Sequence, residues 1–266
     1  MEAGINGVRH FYRDEGPRAG MPVVLIHGFP LSHAMWEPQI ESLAGEFRVV
    51  AYDVRGLGGS GAGDGQTTME VLVDDLLGLL DRLGLGEAVL CGLSMGGYIA
   101  LRAVEREPAR VRALVLADTR SAADADEAKL SRAAAIQAIK KHGLAPFAED
   151  FVKKIFAPAT VAESRPCVAA IRDIIVRNDP VGVCGAALAL LSRTDTTPAL
   201  PGIKAPSLVL VGEHDALTPP AGAQALAAAI PGAKLAVIPG AGHMSNLENP
   251  VDFNRRLAGF LRRLPR

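Results

Sequence analysis

The first place in this chain where chemistry could start is a serine held between glycines, in Gly92-Leu93-Ser94-Met95-Gly96-Gly97. Ala88-Val89-Leu90-Cys91 leads into it as an apolar strand, and Tyr98 to Glu107 follows without a gap as a helix former. Strand, sharp turn and helix together make a nucleophile elbow. The glycines two residues before and two after Ser94 are required because the turn crowds backbone segments so closely that a Cβ at either place would clash. The turn lifts the Ser94 hydroxyl above the carboxyl end of a sheet, and the helix N-terminus behind it favours any anion that forms there.

A serine hydroxyl is a weak nucleophile at neutral pH, so it needs a base within reach and a third group to orient that base. Gly240-Ala241-Gly242-His243 leaves the last apolar strand into a glycine-bearing loop, which makes His243 the candidate base. Gly212-Glu213-His214-Asp215 leaves the preceding strand in the same way, which makes Asp215 the candidate acid. Their order, Ser94, Asp215, His243, is the serine, acid, histidine order of one hydrolase class. The developing oxyanion needs two backbone donors: the Met95 amide, next after the nucleophile, and the Phe29 amide, which follows His27-Gly28. Pro30 has no N–H and shapes that loop instead. His27 orients the oxyanion loop, and His214 is a solvated neighbour of Asp215 or a pocket wall.

These loops need strands to leave from. Asn6-Gly7 marks a hairpin, and Val23-Val24-Leu25-Ile26 reads as a strand buried on both faces. A helix is expected from Ser32 to Ala44, a strand from Phe47 to Tyr52, and a glycine-rich loop from Asp53 to Gly65 in which Asp53 and Arg55 pair locally. Thr67 or Thr68 caps a helix with Val71, Leu72, Leu76, Leu79, Leu80 and Leu83 at three- and four-residue spacing. Further strands are expected at Val111 to Ala117, Ser207 to Val211 and Lys234 to Ile238, and a closing helix at Pro250 to Leu264. Buried strands alternating with amphipathic helices predict an α/β fold with a mostly parallel sheet. Residues 121–200 break that rhythm and predict a helical insertion, with segments at Ala125 to Lys141, Ala145 to Ile155, Val161 to Val176 and Pro180 to Leu191. The core is then 1–120 and 201–266. Gly56-Leu57-Gly58-Gly59-Ser60-Gly61 matches a dinucleotide-binding pattern, but Asp53, Val54 and Arg55 separate it from the strand and loop follows it, so no cofactor is expected.

The chain has 266 residues, 28 Lys and Arg against 29 Asp and Glu, and 3 cysteines. Near-zero net charge points away from nucleic acid and anionic membranes as partners and towards a small molecule. Met1 to Asp14 has no charged start followed by an apolar core, and no apolar run approaches spanning length, so neither a signal peptide nor a membrane span is expected. Cys91, Cys167 and Cys184 have no metal-ligand spacing, so no metal is expected and a reduced, cytoplasmic protein is. Oligomeric state stays open between monomer and small homo-oligomer.

With His27-Gly28-Phe29-Pro30-Leu31, Asp53-Val54-Arg55-Gly56-Leu57-Gly58-Gly59-Ser60 and the motifs around Ser94, Asp215 and His243, the chain resembles the α/β-hydrolase superfamily over essentially its whole length. It is similar within it to small bacterial carboxylesterases of the arylesterase type and to enol-lactonases with a helical cap. The resemblance implies an eight-stranded sheet and a serine esterase acting on small, apolar, short-chain esters, with a 3-oxoadipate enol-lactonase-like activity as the alternative. Pro30 also resembles cofactor-free haloperoxidases, which implies a perhydrolase side reaction. Some members place the acid where Asp118 stands; otherwise Asp118 anchors the chain where it leaves for the insertion. Haloalkane dehalogenases and epoxide hydrolases resemble this fold too, but they carry a carboxylate where Ser94 stands. A ligand sensor on the same fold is the non-enzymatic reading, disfavoured by the complete set of site residues. Trp36, Phe147, Phe151, Leu217 and Met244 are expected to line an apolar substrate pocket, and only Arg55 and Arg120 could clamp a substrate carboxylate.

Overall fold

Val23, Val24, Leu25 and Ile26 have no exposed surface because they lie inside a sheet covered on both faces. The structure, a computed structural model, describes residues 1–265. Eight strands run in the spatial order β1 (Glu2–Ile5), β2 (Val8–Glu15), β4 (Arg48–Tyr52), β3 (Pro22–Ile26), β5 (Ala88–Leu93), β6 (Val111–Ala117), β7 (Ser207–Gly212) and β8 (Lys234–Ile238). The pairings of β2 with β1 and β4 are antiparallel, and all others are parallel. Asn6 and Gly7, at φ 48° and 76°, make the β1–β2 hairpin with the two positive-φ positions that such a turn requires.

Because strand side chains alternate, the sheet feeds two cores. Val24, Ile26, Leu90 and Leu114 face α2 (Met69–Arg82), α3 (Met95–Arg106) and α9 (Pro220–Ala229). Val23, Leu25, Val89 and Val115 face α1 (Glu37–Leu43) and α11 (Pro250–Leu261). Thr68 caps α2, whose buried face includes Val73, while the expected Val71 is only half-buried. The helix expected from Ser32 is instead a 3-10 turn, His33–Trp36, followed by α1. Pro38 explains the break, since a residue without an N–H fits only the first turn of an α-helix.

Between β6 and β7 lie α4 (Asp126–His142), α5 (Leu144–Ile155), α6 (Pro158–Ala162), α7 (Pro166–Arg177) and α8 (Pro180–Leu191). The expected helix from Val161 to Val176 is thus two helices. Ser164 sits at φ 49°, and Pro166 biases Arg165 away from the helical region, so the chain must turn there. This insertion rests on the loops at the carboxyl ends of the strands. Asn178 accepts from the Gly58 amide at 2.7 Å and donates to the Pro30 carbonyl at 2.8 Å. At Gly182 of α8 the approach is closer still, because a Cβ there would lie 1.7 Å from the Gly56 carbonyl oxygen. Among the described residues, no single helix is long and apolar enough to cross a membrane.

Candidate active site

The elbow is built as its glycines require. A Cβ on Gly92 would lie 2.2 Å from the Gly96 carbonyl group, and one on Gly96 would lie 2.0 Å from the Ile26 oxygen of β3. Ser94 itself takes φ 54°, ψ −113°, a conformation that L residues avoid and that the surrounding packing imposes. Its amide donates to Ala117 of β6 at 2.9 Å, and the Thr119 hydroxyl donates to its carbonyl at 2.8 Å. Met95 starts α3, so its amide is among those that the helix leaves without an internal partner.

The loop after β3 meets this turn directly: a Cβ on Gly28 would lie 3.4 Å from the Ser94 Cβ. His27, fully buried, holds that loop. Its Nε2 accepts from the Val54 amide at 2.9 Å, so the ring is neutral and its Nδ1 donates to the Gly28 carbonyl at 2.9 Å. Burial keeps the imidazole below its usual pKa, against the opposing pull of Asp53. Asp53 accepts from the His33 amide at 2.6 Å and from the Gly59 amide at 2.7 Å. The local pairing expected for Asp53 and Arg55 does not form. Arg55 points the other way and forks onto Asp75 of α2, with two bonds of 2.7 Å.

β8 is three strand spacings, about 14 Å, from β5, so its loop must lean back to come near Ser94. It does so over the end of β7: the Ala241 carbonyl accepts from the His214 amide at 2.8 Å, and a Cβ on Gly212 would lie 2.0 Å from the Gly242 oxygen. There His243 Nδ1 bonds Asp215 Oδ2 at 2.8 Å, both side chains being almost wholly buried. Asp215 also accepts from the Leu217 and Thr218 amides at 2.8 and 3.0 Å, and from the Thr218 hydroxyl at 2.5 Å. Burial alone would raise this carboxyl, but the His243 charge and the Thr218 donors outweigh it and hold it below the usual range. No hydrogen bond joins the Ser94 hydroxyl to the imidazole among the described residues; such contacts are often long before substrate binds.

Asp118 is a second buried carboxylate. It takes φ 46°, accepts from the Gly212 amide at 2.8 Å and from the Ser245 hydroxyl, and makes no bond to His243. Burial, reinforced by the neighbouring Asp215 charge, pushes it well above the ordinary range. The two carboxyl groups are thus pushed in opposite directions, and the one held low is the one bonded to the histidine. His214 is exposed beside Asp215.

The expected pocket residues do not lie together. Phe29 meets Phe147 and Phe151 edge-on at 6.3 and 6.1 Å, and those two rings stack at 5.2 Å. Phe147 and Phe151 also line a groove of about 350 Å³ between α4 and α5, with Ala134, Ala138 and Pro146. Trp36 is not a pocket residue. It is fully buried against Phe253 in the core beneath the sheet, and Met244 is buried in the same cluster. Leu217 is exposed, and its backbone rather than its side chain serves Asp215. Two contacts escaped the sequence reading. Asp215 opens an Asx turn by taking the Leu217 amide two residues on, and that turn, legible from the aspartate, brings Thr218 within reach. Thr119 touches Ser94 from another strand end, and nothing local in the sequence marks it.

A family model described as the alpha/beta hydrolase fold matches residues 21–250. A thermophilic esterase from Thermogutta terrifontis superposes with a TM-score of 0.95 at 38% identity, covering 99% of this chain and 98% of that one. The enol-lactonase from Burkholderia xenovorans superposes with a TM-score of 0.92 at 33% identity, over 98% of this chain and 100% of that one. A 3-oxoadipate enol-lactonase from Acinetobacter baylyi is 31% identical over 230 residues, which is 86% of this chain and 84% of that one.

Proposed function

The chain belongs to the α/β-hydrolase fold family, and from that premise we propose that it is a serine carboxylesterase acting on small, uncharged carboxylic esters. The 2.8 Å bond between His243 and Asp215, at the strand edge that also carries the strained Ser94, is the observation that carries this reading. With Nδ1 given to Asp215, Nε2 is the nitrogen left to take the Ser94 proton. The Ser94 oxygen then attacks the acyl carbon, and the carbonyl oxygen becomes an oxyanion held by the Phe29 and Met95 amides. Collapse of that intermediate breaks the bond to the alkoxy oxygen, which leaves as the alcohol with the proton from His243. Water, deprotonated by the same imidazole, cleaves the acyl-enzyme and restores Ser94.

The helical insertion covers the site, and Phe29, Phe147 and Phe151 give the acyl group an apolar wall. The two arginines that the sequence offers as carboxylate clamps are engaged elsewhere, Arg55 with Asp75 and Arg120 with Asp124, each at 2.7 Å. That favours an uncharged ester over a substrate with a second carboxylate, which wants a bidentate arginine. The identity to two enol-lactonases supports lactone opening by the same residues as a second reading. Rates on p-nitrophenyl esters of increasing acyl length, measured beside an enol-lactone, decide between the two. A burst of p-nitrophenol should precede steady turnover, and Ser94→Ala should abolish both while leaving the melting temperature within a few degrees. Turnover retained in Ser94→Ala excludes the mechanism.

A further inference from the structure

Glu248, in the short helix α10 (Ser245–Glu248) that follows the candidate base, is 5% exposed, and both its carboxylate oxygens are bonded to donors. Oε1 accepts from the amide of Gly242, the residue before His243, at 2.8 Å. Oε2 accepts from the insertion, taking the Ala157 amide at 2.8 Å and the Thr160 hydroxyl at 2.7 Å. On the other side of the imidazole, the Met244 amide donates to Ile155 at the end of α5 at 3.1 Å. Gly242 is so close to this part of the insertion that a Cβ there would lie 2.5 Å from the Ala157 nitrogen. Both neighbours of His243 in the chain are thus tied to residues 155–160.

From this arrangement we propose that Glu248 is a positioning residue that couples the seating of the helical insertion to the alignment of His243. The inference rests on the reading of Ser94 and His243 as nucleophile and base. A carboxylate is the group this place needs, because two faces of donors converge on it. A glutamine would turn an NH2 towards one face, and an aspartate falls one methylene short of spanning both.

The test measures kcat and KM on p-nitrophenyl acetate together with the rate at which a small fluorophosphonate labels Ser94, a reaction that needs the base but little of the substrate pocket. Glu248→Gln should lower kcat and the labelling rate by a common factor, on the order of 10- to 100-fold, with KM changed by less than about threefold. Thr160→Val, which removes one donor from the insertion side, should lower both by about three- to tenfold, and Thr160→Ser should restore them. Folded variants with wild-type kcat and labelling, altered only in melting temperature, overturn the proposal. If Glu248→Gln does not fold, a Thr160→Val enzyme with wild-type kcat overturns it equally. A wild-type enzyme that the fluorophosphonate does not label at Ser94 sinks the underlying reading instead.

Discussion

The two sides of the site are held by different physics. On the nucleophile side, backbone touches backbone: Gly92 against Gly96, Gly96 against Ile26, Gly28 against the Leu93 carbonyl. The acid and base side has one such contact, Gly212 against Gly242, but there donors also converge on carboxylates: Thr218 and His243 on Asp215, Ser245 on Asp118, the Gly242 amide and Thr160 on Glu248. Close packing permits one arrangement and fails abruptly when an atom is added. A polar network degrades one bond at a time and can be retuned. The close glycine contacts therefore report on folding, and the hydrogen-bonded carboxylates report on rate.

Substitutions can break that division. Among the carboxylates the largest effect on rate belongs to Asp215→Asn, which keeps shape but loses the charge and lets the imidazole take the wrong tautomer; kcat should fall by about 10⁴ with the melting temperature nearly unchanged. A loss under tenfold, measured by steady-state kinetics, removes Asp215 from the role of acid. Gly92→Ala should do the reverse. The added Cβ meets backbone that cannot yield, so stability should fall by about 3 kcal/mol or more in urea titration. A variant as stable as wild type breaks the steric half of the comparison.

The smallest effect belongs to Asp118→Asn, because Asp118 makes no bond to His243, and burial together with the Asp215 charge already disfavours its charged form. The rate should stay within about threefold, whereas a true catalytic acid would lose orders of magnitude. The sign of the stability effect follows from linkage. The folded carboxyl titrates well above the unfolded value of 3.8, so wild-type folding is increasingly opposed as pH rises from 3.8 through the folded pKa. Asp118→Asn removes the opposition. It should melt higher than wild type at pH 8, with the gain shrinking as pH approaches 4, and a pH-independent difference contradicts the assignment.

The sheet was readable because every inner strand is a run of apolar residues too uniform for a surface, and loops leaving such runs could be searched for reactive side chains. Ser94, Asp215 and His243 were found in that way, and the structure puts each of them just beyond the carboxyl end of its strand. Layer assignment was not readable in the same way. Trp36 and Met244 are apolar residues near site loops, and apolarity states that a side chain is buried without stating on which face of the sheet. Thr119 and Glu248 lay beyond reach for another reason. Thr119 meets Ser94 25 positions away, and Glu248 meets Thr160 and Ala157 88 and 91 positions away, and a polar residue in a turn looks the same whether it meets water or a distant amide. The split between α6 and α7 was present in Pro166 but was outweighed by the alanine-rich helical pattern around it.

The crossing of Gly182 over Gly56 divides the insertion into a fixed half and a free half. α8 is bolted to the core there and buries 8 of its residues, while α4, the longer helix, buries only Ile139. A sequence drifting towards new substrates has little room in α8, where nearly every change is answered by the fold. It has a great deal in α4, where every residue but Ile139 is exposed or half-buried and a change meets little of the core. The insertion thus separates what must be inherited from what can be explored, and the boundary runs through two glycines.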